Sequence, residues 1–435
     1  MSNQKRSRQI SLQRASELSK KTHGFLKART SFPIGMEMQT AFDKAKKRIL
    51  QVLNGTEENW DDWHWQLDNT IKDTETLSKI LNLSDEDKYV LNRLSKKYRW
   101  AISPYYASLM DPDDHYDPIR LIGLPSIAEE VYDQGEDDPM GEEYTNPAGA
   151  ITRRYPDRLI INVTNQCANY CRHCQRRRNI GQVDKHRSKH ILEDSIAYIR
   201  DNKEIRDVLI TGGDALMLED DMLDWLIGSI RAIDHVEIIR LGTRTLVTLP
   251  QRITPKLCSI LEKYHPLYIN THANHPKEIT LDTKKAADLL SASGIPLGNQ
   301  MVLLNGINND KYLVQCLNHE LLKVRIRPYY IFHPKLVKGT GHFLCSVDDG
   351  IEIVEHLRGH TSGMAIPTYI VNAPNGAGKT PILPSYLISR GHNTMTIRTW
   401  EGKVFEYKNP PTRDIHKSIE EARDKLLKKK GLLTN

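Results

Sequence analysis

The chain has 435 residues, 39% of them hydrophobic and 27% charged, with a net charge of +6 at neutral pH. That length exceeds what one hydrophobic core usually serves, so the expectation is one large domain with appended pieces, or two to three domains, in a soluble globular composition. No stretch approaches the roughly 18 consecutive apolar residues of a membrane span, the mild charge does not interleave with aromatics as a nucleic-acid platform requires, and six cysteines in a chain with no apolar leader point to the cytoplasm rather than to a disulfide framework.

Residues 1–150 read as a mainly helical N-terminal region. Amphipathic helices are predicted over Gln39–Leu53, Trp63–Ile71, Glu75–Leu81 and Glu86–Ser95. The opening MSNQKRSRQISLQR is basic, and roughly the first 55 residues carry no readable role. From about Asp111 to Pro147 the chain turns acidic, with Pro and Gly, and reads as a solvated connection on the outside of the fold.

Residues 151–345 alternate. Short β-branched runs at Leu159–Val163, Asp207–Thr211, Val236–Leu241, Leu267–Thr271, Gln300–Leu304 and Val324–Ile331 are separated by helix-period segments at about 191–203, 217–232, 254–264, 283–293 and 311–322. Such βα repetition demands a parallel sheet with right-handed crossovers, either a partial barrel or an open doubly wound sheet. Parallel α/β folds place their chemistry on the loops at the C-terminal strand ends. Those loops hold Gly212-Gly213-Asp214, Arg244, His272 and Asn274, and His333 and Lys335, and Asn299-Gln300 opens the fifth strand.

The loop after the first strand carries Cys167, Cys171 and Cys174, a C-x3-C-x2-C cluster. Three closely spaced thiolates can hold three irons of a [4Fe–4S] cube and leave the fourth iron open. A structural zinc site needs four ligands and usually paired C-x2-C elements; no second pair exists, and His173 is the one nearby alternative ligand. Cys258, Cys316 and Cys345 read as inert thiols.

Residues 346–435 are predicted to hold a helix to about Leu357, a strand over Ile366–Val371, the loop Asn372-Ala-Pro-Asn-Gly-Ala-Gly-Lys379, a hairpin turning at Glu401-Gly402, and a charged helix from Asp414 to Lys430. The loop approaches a phosphate-binding G-x4-G-K-T pattern but has Ala373 where glycine is needed, and Pro381 where a helix should begin. A partly desolvated lysine on such a loop, Lys379, can instead condense with pyridoxal phosphate (PLP), and a plain surface turn is the alternative reading of the spacing alone.

Tyr155-Pro-Asp-Arg158, Cys171-Arg-His-Cys174-Gln-Arg-Arg-Arg178, Asn270-Thr-His272-Ala-Asn-His-Pro276, Gly298-Asn-Gln300, Arg327-Pro-Tyr-Tyr330, Arg358-Gly-His-Thr-Ser-Gly363 and the Gly-x-Gly-Lys379 loop together resemble the lysine 2,3-aminomutase family of radical S-adenosylmethionine (SAM) enzymes, from about Trp60 to about Leu387. The resemblance implies an isomerase with an α/β fold: a partial (β/α)6 barrel, the radical SAM core, between the N-terminal helical region and a C-terminal segment bearing the PLP lysine. It implies a [4Fe–4S] cluster on Cys167, Cys171 and Cys174, and PLP on Lys379 with contacts from Arg154, Tyr155 and Arg158. SAM would meet Gly213, Asp214, His272 and Gln300, and Arg176 would grip the substrate α-carboxylate. It further implies a flavodoxin- or ferredoxin-like electron donor and a homo-oligomer.

Two departures stand out. Lysine-acting members place aspartates at the positions of Lys335 and Asn372 to receive the substrate's ammonium; here a cation and an amide stand there. Those groups repel an ammonium and suit a side-chain carboxylate. A member acting on glutamate, moving the amino group between Cα and Cβ, is therefore expected, with aspartate or lysine as alternative substrates and a non-catalytic iron–sulfur module as the alternative from another class. No cysteine follows Cys345, so the C-terminal zinc of lysine-acting members is not expected.

Overall fold

A computed structural model describes residues 3–412 and 414–430. The chain divides between Leu383 and Pro384 into two compact units.

The first unit is built on one curled, open sheet of nine strands in chain order: β1 (Ile151–Arg153), β2 (Arg158–Asn162), β3 (Asp207–Thr211), β4 (Ile238–Gly242), β5 (Leu267–Thr271), β6 (Leu297–Val302), β7 (Ile326–Phe332), β8 (Thr368–Ala373) and β9 (Gly378–Pro381). Strands β2 to β8 are parallel, and β1 and β9 run antiparallel at the two edges. The six predicted strands are β2 to β7, within two or three residues at each end; the strand predicted at 366–371 is β8, which joins the same sheet as a seventh parallel member. The sheet stops short of closure, which makes it a half-barrel with an inner face.

Period-two alternation decides what each side chain meets. Leu159, Ile161, Val208, Ile210, Ile239 and Leu241 point outward into the main core. There they meet Leu192, Ile196 and Ile199 of the helix Lys189–Asp201 and Leu223, Leu226 and Ile227 of the helix Asp220–Arg231. The intervening Arg158, Ile160, Leu209, Thr211, Arg240 and Gly242 line a cavity on the inner face.

The N-terminal helices make a second core. Phe42, Ile49, Trp60, Leu77, Trp100, Tyr105 and Tyr106 pack with Leu304, Ile307 and Phe343 from the loops beyond β6 and β7. The helix Gln39–Leu53 has its predicted bounds. The one predicted over Trp63–Ile71 ends at Asp68, where Asn69 folds its side chain onto the Trp65 carbonyl. A further helix, Asn3–Arg29, precedes them.

The acidic stretch is only partly the solvated connection expected: Asp113, Asp114, Glu136, Asp137 and Glu143 are exposed, but three carboxylates are buried. Asp117 is 2% exposed, Glu129 0% and Glu142 9%, and each is paired with a cation distant in sequence: Lys277, Arg172 with Arg177, and Arg176. Carboxylates at such depth are tolerated because they are matched.

In the second unit, β10 (Leu387–Arg390), β11 (Thr394–Arg398) and β12 (Val404–Lys408) form an antiparallel sheet followed by the helix Ile415–Lys429. The predicted turn at Glu401-Gly402 joins β11 to β12, with Gly402 at φ +80°. Among the described residues no helix is long and apolar enough to cross a membrane.

Candidate active site

All fourteen residues singled out from the sequence line one cavity of about 310 Å³ on the inner face of the sheet: Cys167, Cys171, Cys174, Arg154, Tyr155, Arg158, Arg176, Gly213, Asp214, His272, Gln300, Lys335, Asn372 and Lys379. The thiols, Gly213, Asp214 and His272 sit beyond the C-terminal strand ends, as expected of this fold. Arg158 begins β2 and lines the cavity, so the cavity also reaches down to where that strand starts.

The cysteine loop is held by its backbone. Ala168 O accepts from Ser103 N (2.8 Å), Tyr170 N donates to Ala101 O (3.1 Å), and Arg172 N donates to Ile122 O (2.8 Å). The Arg172 guanidinium is buried against Glu129 in a two-point pair of 2.8 and 2.7 Å. On the other side, Gly213 N donates to Thr164 O (2.6 Å) and Asp214 N to Gln166 O (2.8 Å). A Cβ at Gly213 would lie 2.3 Å from Gln166 O, so only glycine permits this backbone approach.

Burial, then Asp214 and the other two thiols, pushes the Cys167 thiol far up, and burial, then Cys171, raises Cys174. Thiols raised in this way ionise readily only beside a cation, and the irons of an iron–sulfur cluster would supply that charge to the three sulfurs. Among the described residues no three His, Cys, Asp or Glu groups converge as a single metal ion would need. Arg244 Nη1 donates to Cys171 Sγ (3.1 Å), while its Nη2 meets Tyr106 and Glu278.

Asp214 is buried and accepts from Thr243 Oγ1 (2.6 Å), Arg244 N (2.6 Å) and Leu216 N (3.1 Å), bracing the loops after β3 and β4. Burial, with Arg244 and Arg176 nearby, lowers His272 to about 4, so its imidazole is neutral. Gln300 is buried on β6 beside them.

At the other end stands Lys379. Its backbone N donates to Tyr155 Oη (2.9 Å), and Gly378 before it sits at φ +111° to make that approach. The Lys379 Nζ lies 4.9 Å from the Tyr330 ring centre and 5.2 Å from that of Phe332. The Lys379 side chain is solvent-accessible, yet desolvation by the protein around it, then Arg240 and Arg158, lowers its amine to about 8. Arg158 stacks 3.8 Å over Tyr155, Arg240 Nε binds Asp207 (2.7 Å), and the buried Arg154 Nε has no partner. Guanidiniums with open donors beside an unusually basic-poor lysine fit a phosphate-bearing aldehyde such as PLP.

Between the two ends lie Arg176, Lys335 and Asn372. Asn372 and Lys379 face each other across the β8–β9 ladder. Asn372 Nδ2 is buried with no acceptor. Lys335 Nζ donates to Gln175 Oε1, and burial, then Arg176, lowers it to about 7. Sequence reasoning missed Glu142, Gln175 and Arg240 as cavity residues. Arg240 had a signal, its period-two place on β4; Gln175 was visible only as a neighbour of Cys174.

A family profile described as Lysine-2,3-aminomutase matches residues 354–431, and one described as Radical SAM superfamily matches 161–314. The chain is 60% identical over 412 residues to a glutamate 2,3-aminomutase of Clostridioides difficile (strain 630), covering 95% of this chain and 98% of that protein. It is 46% identical to an L-lysine 2,3-aminomutase of Clostridium subterminale, covering 81% and 85%, and 45% identical to one of Bacillus subtilis (strain 168), covering 81% and 75%.

Proposed function

The chain belongs to the lysine 2,3-aminomutase family of radical SAM enzymes, and on that premise we propose that it interconverts L-glutamate and β-glutamate (3-aminopentanedioate). The observation that carries the substrate is the pair Lys335 and Asn372: both offer unsatisfied or weakly satisfied donors to the cavity, and Lys335 meets an amide rather than a carboxylate. The name of the 60% identical relative supports the same substrate.

Cys167, Cys171 and Cys174 would hold the cluster; Gly213, Asp214, His272 and Gln300 would receive SAM; Arg154, Tyr155 and Arg158 would receive PLP at Lys379. When bound, the cluster and SAM supply a hydrogen-abstracting carbon radical, and PLP supplies a π-system through which an amino group can migrate. The chain's own residues do the rest. Arg176 takes the α-carboxylate through a planar fork, and Lys335 with the Asn372 amide takes the side-chain carboxylate, so the substrate is fixed at both ends and its β-carbon is held still. Lys379, lowered to about 8, exchanges a proton at Nζ near neutral pH and would anchor PLP through that nitrogen. The half-barrel and the N-terminal core keep bulk water from the reacting carbons. A flavodoxin- or ferredoxin-like donor would bring the electron.

The test is a product assay on anaerobically reconstituted protein with glutamate, lysine and aspartate in parallel. The expected result is β-glutamate alone at a significant rate; lysine turnover matching that of glutamate would overturn the substrate reading.

A further inference from the structure

Glu142 opens a short 3-10 turn, Glu142–Thr145, behind Gly141 at φ +57°, with Glu143 N capped by Asp138. Its carboxylate is buried at the cavity wall among three guanidiniums. It accepts from Arg176 Nε at 3.1 and 3.0 Å and from Arg176 Nη2 at 2.9 Å. Arg178 Nη2 donates to it at 3.3 Å, and Arg154 Nη2 lies 3.2 Å away.

A guanidinium has two edges that can each grip a carboxylate, the side edge Nε/Nη2 and the end edge Nη1/Nη2. Glu142 takes the side edge of Arg176. Among the described residues Arg176 Nη1 has no hydrogen-bond partner. We propose that Glu142 is the positioning residue of the substrate site: it clamps the side edge of Arg176 so that the end edge is presented to the substrate's α-carboxylate, and it ties that arginine to Arg154 on the PLP side. This rests on the reading of Arg176 given above. Without the clamp, Arg176 would sample its many rotamers beside Arg154, Arg178 and Lys335, all cations, and substrate binding would have to order it. A side chain ordered beforehand loses less on binding. The opposite role is a placeholder that occupies Arg176 until substrate displaces it, and it predicts the opposite sign.

The experiment is equilibrium dialysis of radiolabelled glutamate against protein reconstituted with cluster and PLP, without SAM, so that nothing turns over. Glu142→Gln keeps the shape and removes the charge. Its Kd for glutamate should rise about ten- to a hundredfold, the range of one or two charge-assisted hydrogen bonds, with iron and PLP content unchanged and KM affected more than kcat in the SAM-supplemented assay. Glu142→Asp, shorter by one methylene, should loosen glutamate by an intermediate factor, and it decides the matter if Glu142→Gln does not take up its cofactors. An unchanged Kd in the decisive variant, or a tighter one, overturns the inference. Wild-type protein that binds no glutamate overturns the substrate reading instead.

Discussion

The ammonium of Lys335 donates to the amide oxygen of Gln175, and among the described residues it forms no ion pair. Burial, then the nearby Arg176, lowers it to about 7, and with only a neutral acceptor in contact its charge stays under-compensated, the property on which its proposed role toward a carboxylate rests.

Removing that cation should be costly. Lys335→Ala is expected to lower kcat/KM for glutamate roughly thirty- to a thousandfold, the equivalent of about 2–4 kcal/mol, and to lower kcat as well, because the remote end of the substrate fixes the β-carbon. Gln175→Leu should raise KM about tenfold by releasing the ammonium from its aim. Steady-state kinetics on reconstituted protein check both, and unchanged glutamate kinetics in Lys335→Ala would falsify the assignment.

The same lysine sets a pH dependence. A pKa lowered to about 7 means Lys335 is charged on the acid side and neutral above. Glutamate affinity should thus be greatest below pH 7 and weaken as pH rises through it, until the raised pKa of the complex is passed. Glutamate dialysis between pH 6 and 9 reads this directly, with Lys335→Arg, always charged, expected to flatten the curve.

Reversing the sign of the site should reverse its preference. Lys335→Asp combined with Asn372→Asp is expected to weaken glutamate severely and admit slow turnover of lysine, well short of a lysine enzyme because Gln175 and the pocket length are unaltered. Product analysis with both amino acids measures the exchange.

Capture of PLP should follow the amine of Lys379. Only the neutral amine attacks an aldehyde, so the rate of PLP uptake by cofactor-free protein should climb with pH and level off above about 8. Arg240→Met removes a neighbouring cation and leaves Asp207 uncovered, both of which favour the ammonium, so the inflection should move upward. Borohydride trapping and peptide mapping should find the adduct on Lys379, and its location on another lysine would refute the loop's role.

Iron loading should depend on a glycine as well as on thiols. Any one of Cys167, Cys171 or Cys174 changed to Ala should end SAM cleavage. Gly213→Ala should cut iron content too, although it deletes no sulfur, because its Cβ would force the 164–166 backbone away. Iron and sulfide analysis after reconstitution decides it, and full loading of Gly213→Ala would mean that the approach is not needed.

The thiols, Lys379 and the βα alternation were legible because each lives in a short window: a spacing, a glycine-flexed loop, a period of two. Glu129 and Glu142 were not, because acidity within a Pro- and Gly-containing stretch looks the same whether it faces water or an arginine over 30 residues ahead. Their burial is a property of pairing across the fold. Arg240 could be placed on one face of β4 from the sequence, yet nothing local says which face is hollow. The helix Asn3–Arg29 was unread for a simpler reason: its apolar residues, Ile10, Leu12, Leu18 and Leu26, form no buried stripe.

The ladder that sets Asn372 opposite Lys379 also limits how this enzyme can diverge. Residues paired across two antiparallel strands keep their Cβ atoms at a fixed separation of about 5 Å, and a one-residue slip turns a side chain to the far face of the sheet. A change that slipped this pairing by one residue would therefore turn Asn372 and Lys379 off their shared face in a single event, whereas a change confined to the turn at 374–377 can leave the register intact. On the proposed roles, a new specificity arises by replacing the side chains at 335 and 372 in place, with the register of the hairpin inherited intact.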